Sequence, residues 1–170
     1  METSFIITFI GDDRPGLVEA LASTIEKNQG NWQESQLSQL GGKFAGLILV
    51  SLPESAADTL QAELKALSSS GLSVRVSPAS AADTAHGKPI ALSVLGPDRP
   101  GIIKEISREL ASHDINVVEM DSQVESAAMS GEPMFRAKID AEIPEKTDRD
   151  ALESALESVA NKMTLDIDLD

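Results

Sequence analysis

The stretch GDDRPGLV, residues 11–18, decides the fold, because it returns in nearly the same form as GPDRPGII at residues 96–103. The two copies begin 85 residues apart, which is half the length of the 170-residue chain. Each copy directly follows an apolar run, residues 4–10 in the first half and residues 90–95 in the second. A repeat of this length predicts two small domains of related fold.

The first copy of the turn joins a predicted strand to a predicted helix. The apolar, β-branched run of residues 4–10 is typical of a buried strand. Apolar side chains then recur at helical spacing from Leu17 to Ile25, until Asn28 and Gly30 end the pattern. Pro15 suits the first turn of this helix, because its missing N–H has no helical partner there.

The rest of the first half predicts a hairpin, a helix and a strand. Residues 32–40 and 44–52 flank Gly41-Gly42, a pair that tolerates the positive φ angles of a tight hairpin. Residues 54–67 carry apolar side chains at helical spacing, and residues 72–76 alternate as a strand does. The first half therefore has the order βαββαβ.

The second half repeats this order. Its predicted strands cover residues 90–95, 117–124, 135–143 and 165–169, and its predicted helices cover residues 102–110 and 147–162. Its hairpin connection, residues 125–134, is longer and is either a mobile tip or a contact surface.

The element order predicts an α+β protein made of two ferredoxin-like domains, each an antiparallel sheet with helices on one face. We expect the first domain at residues 1–78 and the second at residues 89–170. The small, polar residues 79–88 between them are predicted to be a linker.

The amino-acid composition argues against several classes of protein. The formal charge of −14 argues against direct nucleic-acid binding, which needs clustered Lys and Arg. The chain has no Cys, and its first apolar run is too short to span a membrane and does not resemble a signal peptide. We therefore expect a cytoplasmic protein that neither spans a membrane nor contains disulfides.

Reactive side chains are scarce, so we expect no enzyme, no cofactor and no metal site. The two histidines, His86 in the predicted linker and His113 at a helix end, have no metal-ligand spacing. A Ser-His-Asp arrangement stays open at this stage. Asp166, Asp168 and Asp170 alternate along the last strand and indicate a solvated face or, alternatively, a weak divalent-ion site.

The repeated turn presents backbone N–H groups and a helix N-terminus, which favour an anionic group such as the carboxylate of a small amino acid. A structural explanation is also open. In that explanation Asp13 and Asp98 cap the helices, and Arg14 and Arg99 pair with nearby carboxylates. Pro97 lacks the N–H donor that Asp12 has, so the two turns are not equivalent.

The DRPG turn followed by an aliphatic pair, at the first strand–helix junction of a βαββαβ module, resembles the ACT domain, a regulatory module that binds amino acids and other small metabolites. Both halves match, which covers nearly the whole chain except the linker. The run NWQESQLSQLGGKFAGLILVSLP, residues 31–53, further resembles the first ACT domain of the glycine cleavage system transcriptional repressor family, whose members consist of two ACT domains and little else.

The resemblance implies ligand binding at interfaces between ACT modules, through this turn and the start of the second strand. Carried onto this chain, it gives these candidate ligand-binding residues: Asp12, Asp13, Arg14, Gly16, Leu17 and Asn31 in the first half, and Asp98, Arg99, Gly101, Ile102 and Asn116 in the second. An Asn amide offers an amino acid both a donor and an acceptor. Alternatively, the two Asn residues are only turn residues between helix and strand.

The resemblance also implies a regulator that controls transcription indirectly. Two modules occupy the chain and no helix-turn-helix pattern is present, so we expect a DNA-binding regulator protein as the partner, together with a homodimer of this chain. Glycine as the ligand comes from the resemblance alone, and serine or another small amino acid fits the same chemistry. The alternative is an ACT-fold interaction scaffold that binds no metabolite.

Overall fold

The computed structural model describes residues 1–81 and 87–170 and divides into two compact units, Met1–Ala82 and Asp83–Asp170. Residues 82–86, which include His86 and half of the predicted linker, lie outside the described residues. Within the described ranges, no helix is long and apolar enough to cross a membrane.

The first unit is a four-stranded antiparallel sheet with two helices. Its strands are β1 (Glu2–Asp12), β2 (Asn31–Leu40), β3 (Lys43–Pro53) and β4 (Leu72–Pro78), and its helices are α1 (Leu17–Lys27) and α2 (Ala57–Ala66). The strand order is β2-β3-β1-β4, so β2 and β4 form the two edges. This confirms the predicted βαββαβ order.

The second unit repeats the same architecture. Its strands are β5 (Lys88–Pro97), β6 (Asn116–Ser126), β7 (Pro133–Ile143) and β8 (Asp166–Leu169), and its helices are α3 (Ile102–Ser112) and α4 (Arg149–Met163). The strand order is β6-β7-β5-β8, which matches the first unit strand for strand. The fold class predicted from the sequence is confirmed.

Each unit has a hydrophobic core of its own between the helices and one sheet face. Along β1 the side chains alternate, with Phe5, Ile7 and Phe9 pointing into the core. The apolar stripe of each helix covers this face, so that Leu21 of α1 and Leu110 of α3 are almost fully buried in separate clusters. The opposite face of each sheet carries no helix of its own unit.

Local geometry confirms the hairpin and corrects the bounds of two helices. Gly41 and Gly42 have φ angles of 60° and 78°, as a tight hairpin between β2 and β3 requires. Pro15 lies before α1, not in its first turn, because Gly16 has the left-handed φ of 92° and the helix begins at Leu17. The helix predicted over residues 54–67 is shorter, with 3₁₀ turns at Glu54–Ala56 and Leu67–Ser70.

Candidate functional site

The first turn, residues 12–17, connects the end of β1 to the start of α1. Gly16 is the N-cap of α1, and no side chain among the described residues accepts a hydrogen bond from this helix end. A Cβ added at Gly16 would meet no described atom within 4 Å. Leu17 is buried and anchors the helix start in the core.

The charged side chains of the first turn are bound within their own unit. Asp12 forms an ion pair with Lys43, and this hydrogen-bonded ammonium group holds the pKa of the Asp12 carboxyl below its usual value. Asp13 accepts a hydrogen bond from the side chain of Gln39, and the Asp13 N–H donates to the carbonyl of Gly42 over 3.1 Å. The carboxylate of Asp13 therefore fixes the hairpin and does not cap α1.

Arg14 fixes the other side of the first turn. Its Nη2 donates to the carbonyl oxygen of Ser70 at the end of the 3₁₀ turn after α2, over 2.5 Å. The expected structural partner, a carboxylate, is thus replaced by a backbone carbonyl. Arg14 joins the β1–α1 turn to the C-terminal end of the α2 segment.

The second turn, residues 97–102, has the same backbone but freer side chains. Gly101 caps α3 with a φ of 97°, Ile102 is buried, and the Asp98 N–H donates to the carbonyl of Pro133 over 2.9 Å. The side chains of Asp98 and Arg99 have no hydrogen bond or ion pair within residues 1–81 and 87–170.

The difference between the turns has a cause in the adjoining hairpins. Pro97 lies opposite Met134 in the second sheet, where Asp12 lies opposite Lys43 in the first. Val124 of β6 stands at the position of Gln39 of β2. At the two positions that hold the first turn, the second hairpin therefore has apolar side chains.

The two candidate asparagines begin the edge strands, far from the turn of their own unit. Asn31 pairs with Ser51, which lies eight residues along β3 from Lys43, the partner of Asp12. At about 3.4 Å per residue this separates Asn31 from the turn by about 27 Å. The structure thus brings residues 12–17 together but places Asn31 at the opposite end of the sheet, and Asn116 has the same relation to residues 98–102.

A shallow concavity of 330 Å³ lies against the first turn. Its lining includes residues 13–19 and the ring of Phe44, which packs on Phe9 with ring centroids 5.8 Å apart. The sequence did not predict a role for Phe44, because no local pattern in β3 indicates that its side chain contacts the turn. A wider groove of 1070 Å³ in the second unit runs along β8. It is lined by Asp166 and Asp168 but by none of the candidate ligand-binding residues.

Comparison with known protein families finds the same family in both units. Family models of the ACT domain match residues 3–77 and residues 90–157, one in each unit. The chain belongs to the ACT domain family. It is a tandem ACT protein, and the repeated DRPG turn joins the first strand of each ACT module to its first helix, β1 to α1 and β5 to α3.

Several relatives match this chain over nearly its whole length. The glycine cleavage system transcriptional repressor of Escherichia coli strain K12 is 23% identical over 163 residues, which cover 93% of this chain and 84% of the relative. A crystal structure of an unknown protein from Galdieria sulphuraria superimposes with a TM-score of 0.84 at 27% identity, covering 100% of this chain and 98% of the other. The crystal structure of a protein provisionally assigned as a glycine cleavage system transcriptional repressor gives a TM-score of 0.73 at 19% identity, over 100% and 97% of the two chains.

The remaining polar side chains of the tandem ACT chain form no reactive cluster in the part that the structure describes. His113 ends α3 and its Nδ1 contacts the Glu109 carbonyl oxygen at 2.8 Å. No group of three or more His, Asp or Glu side chains in the described ranges is arranged to hold a metal ion. Asp166 and Asp168 are exposed on the sheet face that carries no helix.

Proposed function

We propose that this tandem ACT protein is a non-enzymatic regulator that binds a small amino acid and controls transcription through a DNA-binding partner protein. The observation that carries the proposal is the pair of uncapped helix starts, each preceded by a glycine in the left-handed region. Similarity over 93% of the chain to a protein named as a transcriptional repressor supports the regulatory part.

The chemistry of the turn suits an amino acid carboxylate. The first N–H groups of α1 and α3 carry the positive end of the helix dipole, and a bound carboxylate would accept hydrogen bonds from them. Gly16 and Gly101 leave the backbone accessible, since a Cβ at Gly16 would occupy the empty space beside it. In the second turn Arg99 is also free to pair with the carboxylate.

The α-ammonium group of the ligand needs an acceptor, and the Asn amide oxygen supplies one. Asn31 lies about 27 Å along the sheet from its own turn, which is several times the length of a small amino acid. A ligand therefore contacts the turn of one ACT module and the strand start of a second module. Binding then favours one arrangement of modules over others, which links the metabolite to assembly.

Regulatory output passes to another protein in this proposal. The charge of −14 repels the DNA backbone but attracts a basic surface on a DNA-binding regulator. We expect the purified chain to cause no mobility shift of operator DNA at physiological salt. Sequence-specific binding of DNA by the chain alone would contradict this part of the proposal.

Thermal stabilisation by ligands tests the amino acid site. Glycine, serine and alanine are screened at millimolar concentration against the wild-type chain, and the expected result is a raised midpoint with at least one of them. Asn31→Ala and Asn116→Ala are expected to reduce this gain. Ser35→Ala changes another exposed polar residue of β2. It is the control and should keep the gain.

A scaffold that binds no metabolite is the second candidate. It is favoured by the first turn, where Asp12, Asp13 and Arg14 are all bound within their own unit. The same screen separates the two functions, because a scaffold shows no stabilisation with any amino acid.

A further inference from the structure

The sheet face without helices differs between the two units. In an antiparallel sheet, directly paired residues point to the same side. The row Ile6–Leu49 and the row Thr8–Leu47 therefore share one face of the first sheet, together with Ile10. We call Ile6, Thr8, Ile10, Leu47 and Leu49 the open apolar face.

Two of these side chains are well exposed. Ile10 and Leu47 each retain 49% of their accessible surface, although they lie on the two central strands β1 and β3. Large aliphatic side chains at the centre of an uncovered sheet form a contiguous patch, and such patches mark interaction sites.

The second unit shows that the fold does not require this apolar character. Lys138 of β7 stands opposite Ser93 just as Leu47 stands opposite Thr8, and Asp140 stands at the position of Leu49. The same sheet in the same chain thus carries charges where the first unit carries leucines. The open apolar face is therefore a property of the first unit alone, which indicates a role beyond folding.

We propose that the open apolar face docks against the same face of a second copy of this chain. This assigns a surface to the homodimer that the sequence analysis expects, and it does not depend on ligand binding.

The charges at the two edges of this face are self-complementary. Arg75 on β4 and Glu34 on β2 both point to the open side, at opposite edges of the sheet. A two-fold axis parallel to the strands places β4 over β2 of the second copy, so each Arg75 meets a Glu34 across the interface. Their rows differ by one two-residue step, about 7 Å along the strand, which an Arg side chain spans. An axis perpendicular to the strands would instead place Arg75 over Arg75.

The area of the face suits a homodimer. Three strands of ten or eleven residues and the seven-residue β4, spaced about 4.8 Å apart, present about 600 Å² per copy. Two copies would bury about 1,200 Å², which exceeds the roughly 1,000 Å² that a specific interface needs. Nearly parallel strands are also the common geometry of stacked sheets.

Sedimentation velocity of the full chain without amino acids tests the interface. The wild-type chain is expected to be a dimer at micromolar concentration, and Leu47→Lys, which introduces the residue found at the same place in the second unit, is expected to weaken it at least tenfold. Met129→Lys, a fully exposed change in the second unit, is the control and should leave the dimer intact. A monomeric wild-type chain, or a dimer that Leu47→Lys leaves unchanged, would overturn the proposal.

Charge reversal provides a second test that spares the core. Arg75→Glu and Glu34→Arg are each expected to weaken the dimer, and the double variant is expected to regain most of the lost affinity. Circular dichroism of each variant confirms that the fold is kept. If the loss of dimer affinity in the double variant equals the sum of the two single losses, the two side chains do not meet. The thermal screen with amino acids reports on the ligand site, and sedimentation without amino acids reports on the interface. A failure of one proposal is therefore distinguishable from a failure of the other.

Discussion

Arg14 donates a hydrogen bond from Nη2 to the carbonyl oxygen of Ser70 over 2.5 Å, joining the β1–α1 turn to the end of the α2 segment. Arg99, its repeat counterpart, has no such partner among residues 1–81 and 87–170. The same four-residue motif therefore stabilises the fold in one module and leaves its Arg unengaged in the other. Duplication has kept the backbone of the turn while its side chains have diverged.

Replacing the two arginines should separate these roles. Arg14→Ala is expected to lower the free energy of unfolding of the first unit by about 1 kcal/mol, the usual worth of one hydrogen bond. Arg99→Ala removes no intramolecular hydrogen bond and should leave stability nearly unchanged. Urea denaturation of both variants measures this. Equal losses would contradict the contrast between the turns.

The left-handed glycines should be costly to replace. Gly16→Ala is expected to destabilise the first unit by about 1 kcal/mol, because a Cβ is disfavoured at a φ of 92° even where space is free. Gly16→Asn should lose less, since Asn tolerates this region better. Chemical denaturation of the two variants gives the comparison, and an Ala variant as stable as the wild type would be the contrary result.

The two cores should respond separately to cavities. Leu21→Ala and Leu110→Ala each remove an almost fully buried side chain and are expected to cost about 2–5 kcal/mol. Because the two leucines belong to different clusters, hydrogen exchange should accelerate in the core amides of the altered unit. Acceleration of equal size in both cores after either change would show that the cores are one cooperative unit.

Low pH should weaken the hydrogen bonds that Glu63 of α2 accepts from the C-terminal end of α1. Glu63 accepts hydrogen bonds from Lys27 Nζ at 2.8 Å and from Asn28 Nδ2 at 2.7 Å, and these donors hold the pKa of Glu63 below 4.5. A carboxyl with a lowered folded pKa contributes stability that is complete above 4.5 and is lost as the pH falls through the folded pKa.

Thermal melts across this pH range check the expectation. The Tm difference between the wild type and Glu63→Gln should be constant at neutral pH and shrink once the pH drops below 4.5. Lys27→Met should reduce the same pH dependence, because it removes the first of the two donors. A Tm difference that stays constant down to pH 3 would exclude this role for Glu63.

Much of the fold could be predicted from periodicity and turn chemistry. The repeat, the Gly41-Gly42 hairpin and the alternation of residues 135–143 indicate the order of elements, because each is a local signal. The bond from Arg14 to Ser70 joins residues 56 apart in the sequence, and no local pattern encodes it. The position of Asn31 at the far end of the sheet from its turn follows only once strand direction and register are known.

The open apolar face shows a different limit. The largely apolar run of residues 4–10 predicts a buried strand, but it does not show which of the two sets of alternate side chains faces the core. In the structure the helices bury Phe5, Ile7 and Phe9, while Ile10 on the other side stays half exposed. Sequence patterning predicts which side chains avoid water, and it does not identify the surface that covers them.

The central claim is an amino acid site at the β1–α1 and β5–α3 turns, and isothermal titration calorimetry of glycine and serine against glycine-to-alanine variants tests it most directly. The variant Gly16→Ala/Gly101→Ala places a methyl group at both helix starts. Gly131→Ala is its control, because Gly131 also has a positive φ, 70°, and free space in a hairpin loop. We expect saturable binding to the wild type and to the control, and at least tenfold weaker binding to the double variant. Equal affinity for all three proteins, or no heat with the wild type at millimolar ligand, would contradict the account.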